Sequence, residues 1–337
     1  MKKICLYVCG IALFACHPSM AGGRYAGASM ELGVGSRPLA LAGAAVAMSG
    51  NAETFYYNPS SLGLLNRPVL NLMYAPTFGS LYSPMAHYHH IGAAFPLSMG
   101  GTVAVNWTRF AVDEIPIYPK LSGGSFTDRK NNVTLRPDGT ALGYFEDTED
   151  VYYFSFARLI KTVLPMGWLY VDLPVEIPVG INLKFLRQSL YKNKASGLGV
   201  DLGAMFRFSL RTLFDDRRLG LLTLGLSLAN ISNTTMQWDT KQEDRIHQSV
   251  AIGAAYEQPL WKGKSTANLY WTYVNRYAPC HLVALELQVH GLAVRIGKNE
   301  MGLTAGAGLR IWHLCTDYAF VINDFDNLHR ISCSVFF

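Results

Sequence analysis

Apolar residues alternate strictly with small or polar ones along many segments of this chain. Between residues 197 and 208, Leu, Val, Ala and Phe take every second position, and Gly, Asp and Arg take the others, with Met205 as one apolar intruder. A period of two is typical of a β-strand whose two faces meet different surroundings. The pattern recurs at 179–185, 222–229 and 303–311. The chain is therefore predicted to form a sheet with two chemically different faces.

The amino-acid composition limits the environments in which that sheet can lie. The 337 residues are 50% hydrophobic and only 16% charged, whereas soluble domains usually carry about 25% charged residues. Such a chain can bury enough surface to offset its ordering entropy, so the composition excludes disorder. The net charge of +5 is small and dispersed, which argues against a nucleic-acid-binding surface.

The N-terminus has the features of a secretory signal peptide. Lys2 and Lys3 precede an apolar stretch at 4–16, and a small-x-small cleavage site follows at 19–21. We therefore assign 1–21 to a signal peptide, so that the mature chain begins near Gly22. Export from the cytoplasm follows from this assignment.

Cysteine usage leaves one alternative open. Residues 13–16 also fit a lipoprotein cleavage site, with Cys16 acylated, and this alternative implies export as well. The mature chain keeps Cys280, Cys315 and Cys333, an odd number without C-x-x-C spacing. A structural zinc site or a dense disulfide framework is therefore not expected.

An exported apolar chain can cross a membrane only as helices or as a closed barrel. No stretch of about 20 uncharged apolar residues follows the signal, which leaves strands. The minority face carries mostly Gly, Ser and Thr, as expected of a barrel lumen. We predict an all-β, antiparallel transmembrane barrel of about 14 strands over residues 67–337. The predicted strands are 69–78, 86–96, 101–110, 150–159, 168–189, 197–208, 219–230, 247–257, 264–274, 281–289, 291–297, 302–312, 315–322 and 329–337.

The connections give the barrel an orientation. An even strand number places both ends of the sheet on one side, which we assign to the periplasm of a diderm bacterium, with the barrel in its outer membrane. Segments 111–149 and 231–246 become long external loops, while 209–218 is unusually long for a periplasmic turn. Aromatic residues are expected at lipid headgroup level near strand ends. These aromatic residues are Trp107, Tyr152, Trp168, Tyr170, Trp261, Tyr270, Trp271, Tyr273, Tyr277 and Trp312.

The segment 22–66, upstream of the first strand, lacks alternation. Residues 36–49 are rich in alanine and predict a small helix, and Asn58-Pro59 interrupts the chain further on. About 14 strands enclose a lumen too wide for side chains alone to fill. We therefore predict that 22–66 forms a small helical plug inside the barrel.

Charged residues on the minority face are expected to pair across strands or with the plug. They are Lys184, Asp201, Arg207, Glu286, Arg295 and Arg310.

Catalytic signatures are absent from the sequence. It contains no G-x-S-x-G, Walker or H-E-x-x-H motif, so we expect no enzyme activity, cofactor or metal, although some outer-membrane barrels are phospholipases. His87 and His89 share a strand face and could bind one metal ion, but no third ligand lies at readable spacing. Histidines at the membrane interface or in the lumen are the favoured interpretation.

Several motifs, in order, resemble those of the FadL-like outer-membrane proteins, especially the PorV/PorQ branch. The N-terminal motifs are Gly33 to Ala47 and Tyr56 to Leu62, and later ones include Gly180 to Lys184 and Leu303 to Gly308. The family commonly has Asn-Pro-Ala where this chain has Asn-Pro-Ser, ending at Ser60. The final residues resemble a terminal aromatic strand, with Phe337 as the signal recognised by the barrel-assembly machinery.

The resemblance implies passive uptake of hydrophobic compounds such as long-chain fatty acids. In the family, the ligand passes a plugged lumen and leaves sideways into the membrane. The implied ligand-path residues are Phe55, Tyr56, Tyr57, Asn58, Pro59 and Leu62. The alternative is a PorV-like docking or shuttle component of a protein-secretion system that binds cargo at its extracellular loops, such as 111–149. Implied partners are outer-membrane lipids, a hydrophobic ligand, the assembly machinery, and secretion components or cargo, but no nucleic acid.

Overall fold

The structure is a computed structural model. It describes residues 26–80, 82–98, 100–118, 125–131, 141–167, 171–231, 233–260, 265–276, 279–300, 302–322 and 327–337. The proposed signal peptide, the alternative site at Cys16, and the aromatic residues Trp168, Tyr170, Trp261 and Tyr277 lie outside these ranges.

Sixteen strands account for most of the described chain. They are β1 (Val69–Ser80), β2 (Ser83–Pro96), β3 (Gly101–Ile117), β4 (Gly143–Met166), β5 (Val171–Leu190), β6 (Asn193–Ser209), β7 (Leu221–Ala229), β8 (Thr234–Trp238), β9 (Glu243–Ile246), β10 (Ser249–Leu260), β11 (Ser265–Asn275), β12 (Pro279–Val289), β13 (Leu292–Lys298), β14 (Leu303–Ile311), β15 (Leu314–Val321) and β16 (Leu328–Phe336).

Helices in the described ranges are few and short. Three are α-helices, namely α1 (Ser36–Ala40), α2 (Phe126–Asn131) and α3 (Leu210–Phe214), and three are 3-10 helices at Ala28–Glu31, Ala52–Tyr56 and Pro59–Leu64. No helix in the described ranges has the length and apolar character needed to cross a membrane.

Fourteen of the sixteen strands close into one antiparallel barrel. Each of these strands pairs with its neighbours around the ring, β1 pairs with β16, and β5 pairs with β6. The other two strands, β8 and β9, form a hairpin that extends the edge of β6 at Ala195–Gly197. The predicted fold class is therefore confirmed as a closed 14-stranded all-β barrel with a few short helices.

Strand side chains alternate between a buried inner face and an exposed outer face. In β5, Asn182 and Lys184 are buried while Leu183 and Phe185 are exposed. Exposed apolar residues continue around the wall on most strands. Examples are Leu70, Leu72, Val103, Val105, Phe154, Phe156, Leu224, Leu226, Leu285, Leu287, Val294 and Ile296. An apolar outer face around a polar lumen is the arrangement of a membrane-spanning barrel.

The connections distinguish the two ends of the barrel. The terminal end carries the start of β1, the end of β16 and two-residue turns such as 290–291 and 312–313. The loop end carries the connection between β3 and β4 and the β8–β9 hairpin. Most strands begin and end within a few residues of their predicted bounds. The exceptions are β3 and β4, which extend well into the predicted loop 111–149.

Other details differ from the sequence-based expectations. The predicted helix over 36–49 ends at Ala40, because Ala42 and Gly43 adopt positive φ angles of 55° and 79°, which an α-helix does not accommodate. The segment 231–246 contains the β8–β9 hairpin, and α3 lies in the long connection near 209–218. Tyr270 is not at a headgroup position, because its side chain is buried in the lumen.

Candidate functional site

The segment before β1 lies inside the barrel and fills much of its lumen. We call residues 26–65 the plug. Its side chains are largely buried, including Val34, Leu41 and Met48 at 0% exposure. Hydrogen bonds tie it to the wall: Thr304 Oγ1 donates to the Ala40 carbonyl at 2.9 Å, and an Arg330 Nη donates to the Gly33 carbonyl at 3.0 Å.

An ion-pair network holds one side of the plug. Arg37 of α1 donates to both carboxylate oxygens of Glu286 at 2.9 and 2.8 Å. Glu286 also accepts from Arg295 at 2.7 Å, and Arg295 pairs with Asp317 at 2.6 Å. Tyr270 adds a hydroxyl bond to Glu286 at 3.1 Å. We call Arg37, Glu286, Arg295 and Asp317 the ionic anchor; all four are nearly excluded from solvent.

Next to β5 and β6, the plug is held at Asn58 and Pro59 by uncharged groups. Asn58 and Pro59 form a turn, which we call the Asn-Pro turn. The Asn58 amide donates to the Val46 carbonyl within the plug at 2.7 Å, and its oxygen accepts from the Ser60 hydroxyl at 2.7 Å. The same amide reaches the Leu226 carbonyl of the wall at 3.3 Å. This turn is therefore ordered mainly by amide and hydroxyl groups.

A pair of glycines receives the Asn-Pro turn. Gly180 of β5 and Gly203 of β6 lie opposite each other in the sheet. A Cβ on Gly180 would lie 2.5 Å from the Pro59 carbonyl carbon, and one on Gly203 would overlap the Asn58 amide oxygen. The absence of side chains at this pair lets the plug backbone approach the wall directly. The small residues that mark the lumen face in the sequence thus have a packing role here.

The hydrogen-bonded ladder between β5 and β6 is interrupted beside this glycine pair. Val179 pairs with Ala204, and Glu176 pairs with Arg207, in one continuous register, but in the described wall no pair joins Ile177 or Pro178 to β6. Proline has no N–H to donate to a ladder. We call these two positions and the facing residues 205 and 206 the wall break. Met205, the intruder of the sequence pattern, faces the lumen there and is buried.

Aromatic side chains of the plug line the lumen next to the wall. Phe55 packs against His90 with ring centroids 5.7 Å apart and against Tyr153 at 5.1 Å. Tyr56 lies 5.3 Å from Tyr57 and 6.1 Å from Tyr153. The Tyr56 hydroxyl has no hydrogen-bond partner among the described residues. The cluster is thus apolar except for two buried hydroxyls, those of Tyr56 and Tyr57, that have no hydrogen-bond partner among the described residues.

One further predicted path residue, Leu62, and one residue of the wall, Asn182, lie in the same region. Leu62 is fully buried in the same hydrophobic cluster as Phe55. Asn182 of β5 donates to the Phe55 carbonyl at 3.0 Å and so fixes the aromatic cluster to the wall. The structure therefore brings Phe55, Tyr56, Tyr57, Asn58, Pro59 and Leu62 into one lumen region, and their role in a ligand path stays a prediction.

The β8–β9 hairpin covers the loop end of the lumen. Met236 and Ile246 of the hairpin are 5% and 1% exposed and belong to the same buried cluster as Met30 of the plug. Only a cavity of about 20 Å³ lies between the hairpin and the start of the plug. We call this hairpin the lid, because a ligand entering from the loop end would have to displace it.

The predicted lumen charges are mostly paired. Lys184 and Asp201 lie 2.7 Å apart, and Arg207 pairs with Glu176 at 3.0 Å. Arg310 has the lumen-facing register but is exposed at the terminal end. One ion pair, between Arg109 and Asp150 at 2.8 Å, stands on the outer face, where Trp107 also donates to Asp150.

The remaining predicted positions are the histidines of β2 and the C-terminal Phe337. His87 and His89 lie beside Tyr74 on the outer face of the wall and not in the lumen. Their location at the membrane interface stays a prediction. Among the described residues no group of three or more His, Cys, Asp or Glu could hold a metal ion. Phe337 is exposed at the terminal end, where its N–H donates to the Pro68 carbonyl at 3.0 Å. Its role in barrel assembly stays a prediction.

Sequence reasoning missed three parts of this region. The lid lies in a predicted loop, and its five-residue strand β8 is too short for a reliable period-two pattern. The partnership of Arg37 with Glu286 spans 249 residues and has no local signal. Met205 did carry a signal, since it was the apolar exception on a polar face.

Comparisons with known proteins give structural neighbours only. The chain matches no protein-family model and none of the curated proteins. Solved structures similar to it include the toluene transporter TodX of P. putida, at 10% identity and a TM-score of 0.44, covering 90% of this chain and 99% of that one. Another is the outer membrane protein Omp33 of Acinetobacter baumannii, at 9% identity and a TM-score of 0.41, covering 82% of this chain and 100% of that one.

Proposed function

We propose that this protein is an outer-membrane barrel for passive uptake of hydrophobic compounds such as long-chain fatty acids. The ligand enters at the loop end, passes the plug, and leaves sideways through the wall break into the membrane. Both chain termini then lie on the periplasmic side. The observation that carries the proposal is the Asn-Pro turn, which is seated on Gly180 and Gly203 directly beside the wall break.

A sideways exit suits an apolar ligand. Such a ligand gains free energy by staying in apolar surroundings, and release into the bilayer spares it a passage through water. The outer face around the wall break is apolar, because Phe206 and Phe208 pack there with tilted rings whose centroids are 5.4 Å apart. A molecule released at this point enters hydrocarbon.

The lumen supplies a route that avoids the ionic anchor. The lid closes the mouth with apolar contacts from Met236 and Ile246, and the aromatic cluster of Phe55 and Tyr56 follows below it. Pro59 and the wall break come next. The unpaired Tyr56 hydroxyl offers one hydrogen bond to the polar head of an amphipathic ligand. The ionic anchor stays on the opposite wall and keeps the plug attached.

A reversible cross-link across the wall break tests this route. Continuing the ladder register places Ile177 opposite Phe206. The variant Ile177→Cys/Phe206→Cys is made in a background with Cys280, Cys315 and Cys333 changed to Ser. A short bifunctional reagent that forms disulfides with both thiols joins β5 to β6, and dithiothreitol releases it. Uptake of radiolabelled oleate by cells expressing the protein should fall several-fold on cross-linking and recover on reduction.

The matched control places the cross-link in an intact part of the wall. Ile252 and Tyr273 are a ladder pair of β10 and β11, and cross-linking Ile252→Cys/Tyr273→Cys should leave uptake unchanged. Equal uptake before and after cross-linking at the wall break would refute the lateral exit. Purification of the barrel with a secretion component or a cargo protein, and without bound lipid, would favour the docking alternative instead.

A further inference from the structure

Arg330 of β16 is a buried cation at the edge of the proposed ligand route. The residue is only 2% exposed. Its guanidinium lies over the ring of Tyr88 on β2, 5.5 Å from the ring centroid. Tyr88 belongs to the same buried cluster as Phe55 of the plug and Met236 of the lid. The guanidinium therefore borders the path that a ligand takes between the lid and the aromatic cluster.

Two alanines of the wall give the Arg330 side chain its room. Arg330 pairs with Ala319 of β15 on one side. On the other side Ala75 of β1 pairs with Tyr88, and continuing the register of β1 and β16 by one residue brings Ala75 opposite Arg330. Both alanines are buried. Because neither has a long side chain, the guanidinium can extend across β1 to the Tyr88 ring.

This guanidinium has no acidic partner in the described chain. One Nη donates to the Gly33 carbonyl of the plug at 3.0 Å, and Nε has no hydrogen-bond partner among the described residues. The groups that interact with its charge are the phenols of Tyr56, Tyr57 and Tyr88 rather than carboxylates. A charge removed from water without a counter-charge is costly. The site therefore favours the arrival of an anion.

A hydroxyl without a partner lies beside the same plug residue. A Cβ added to Gly33 would lie 2.6 Å from the Tyr57 hydroxyl oxygen, and the carbonyl of Gly33 is the acceptor for Arg330. The hydroxyl and the guanidinium thus meet at one residue. The Tyr57 hydroxyl is buried and has no hydrogen-bond partner among the described residues, which is costly unless a ligand supplies one. Both features point to an oxygen anion.

We propose that Arg330 makes the barrel select anionic amphiphiles over neutral hydrocarbons, by binding the carboxylate head of the ligand together with the Tyr57 hydroxyl. This inference rests on the proposed function. A carboxylate carries a full charge and offers two oxygens to a guanidinium, so it replaces the Gly33 carbonyl as acceptor. The apolar tail lies against Phe55 and Tyr56 of the aromatic cluster. A neutral hydrocarbon leaves the buried charge without a partner.

Binding of two probes with the same chain tests the proposal. The full-length mature barrel is placed in nanodiscs, in a mildly alkaline buffer that keeps oleate ionised. Binding of radiolabelled oleate and of oleyl alcohol is measured relative to the concentration of each probe in the lipid, after subtraction of protein-free nanodiscs. Oleate should bind about tenfold or more tightly than the alcohol, because a hydrogen bond to a charged group is the stronger one.

The outcomes separate this inference from the proposed function. Equal affinities for oleate and oleyl alcohol would overturn the selection of anions and leave uptake of hydrophobic compounds standing. Failure of both probes to bind would refute the proposed function and this inference with it.

Variants of Arg330 identify the residue responsible. In Arg330→Met, which keeps an apolar chain of similar reach without the charge, the ratio of the oleate to the oleyl alcohol affinity should fall towards one. Arg330→Lys keeps the charge without the planar fork and should give an intermediate ratio. The control Arg310→Met changes an exposed arginine at the terminal end of β14 and should keep the wild-type ratio. A wild-type ratio in Arg330→Met would overturn the proposal.

Tyr57→Phe removes only the hydroxyl and gives a second test that does not alter the buried charge. Its affinity for oleate should fall several-fold, whereas the control Tyr273→Phe, which changes a tyrosine beside His281 on the outer face, should bind as the wild-type protein does. Heat-induced mobility shifts check that each variant is folded. Wild-type affinity for oleate in both Tyr57→Phe and Arg330→Lys would overturn the proposal even if Arg330→Met did not fold.

Discussion

The plug is held by different chemistry on its two sides. On the side of β12 to β15, Arg37 enters a buried network of ion pairs with Glu286, Arg295 and Asp317. On the side of β5 and β6, the Asn-Pro turn rests on two glycines through van der Waals and amide contacts. Breaking a buried ion pair is costly because a charge is left unpaired, whereas uncharged contacts can slide and re-form. The comparison indicates a hinge at the ionic anchor and a movable edge at the wall break.

Removal of the shared carboxylate should give the largest effect. Glu286→Gln leaves both Arg37 and Arg295 without their common partner in a buried site, which is expected to destabilise the docked plug by about 3–5 kcal/mol. The measurement is the heat-induced mobility shift of the purified barrel, together with its single-channel conductance in planar bilayers. We expect a lower transition temperature and a larger conductance than in the wild-type protein.

A surface carboxylate serves as the control for this variant. Glu243→Gln removes a carboxylate that lies 4.0 Å from Arg245 on the exposed lid, where an ion pair contributes roughly 0–1 kcal/mol. If the two variants lowered the transition temperature equally, the ionic anchor would not be the firm side of the plug.

The titration of Glu53 gives a second test of the two sides of the plug, because this buried carboxyl lies near the ionic anchor. Burial, and next the charge of Asp317, raise the pKa of Glu53 from 4.5 to about 7, with Arg37 opposing the shift. The folded protein therefore favours the protonated acid. The contribution of Glu53 to stability is complete below pH 4.5 and is lost as the pH rises through about 7. Over this window the loss amounts to roughly 3 kcal/mol.

The variant Glu53→Gln tests this pH dependence. An amide does not titrate, so the decrease in urea unfolding midpoint between pH 4.5 and 7.5 should become smaller than in the wild-type protein. At pH 7.5 the variant should be the more stable of the two. Parallel curves for the two proteins would show that Glu53 does not contribute to the pH dependence.

Much of the barrel follows from the alternation in the sequence. Each segment such as 179–185 has an apolar face and a small or polar face, and this two-sided environment fixes both the strand and its orientation in the wall. The predicted number of 14 strands is confirmed. The strands β3 and β4 are longer than predicted. Charged residues such as Asp113 and Glu146 interrupt the alternation there, so the sequence pattern ends before the strands do.

The contents of the lumen follow less directly. Tyr270 was expected at the membrane interface because aromatic residues gather there, but its alternation phase places it inside, opposite Ala284 and bonded to Glu286. The Arg37–Glu286 pair depends on how the plug is turned within the barrel, and no periodicity encodes that. The resemblance to a family points to residues of the plug, but their contacts depend on how the plug packs in the lumen, which no sequence motif specifies.

A methyl group at the glycine pair tests the movable edge, with a smaller expected effect on stability. Gly203→Ala places a Cβ against the Asn58 amide oxygen, so the Asn-Pro turn must shift away from the wall. Overpacking of this kind costs about 1–3 kcal/mol, less than the loss of the ionic anchor, because the turn has no charge to leave unpaired. Oleate uptake should nevertheless change strongly in Gly203→Ala, because the turn borders the wall break. Relative to the stability that each variant loses, the change in uptake should be larger than in Glu286→Gln.

The control is Gly143→Ala on β4, where an added Cβ meets nothing within 4 Å. Faster hydrogen exchange at Ser60 and Ser61 would show that the turn is displaced in Gly203→Ala. If uptake nevertheless stayed at the wild-type level, the turn would not belong to the ligand route. The ionic anchor would then be the only one of the two contacts with the wall that affects the function of the plug.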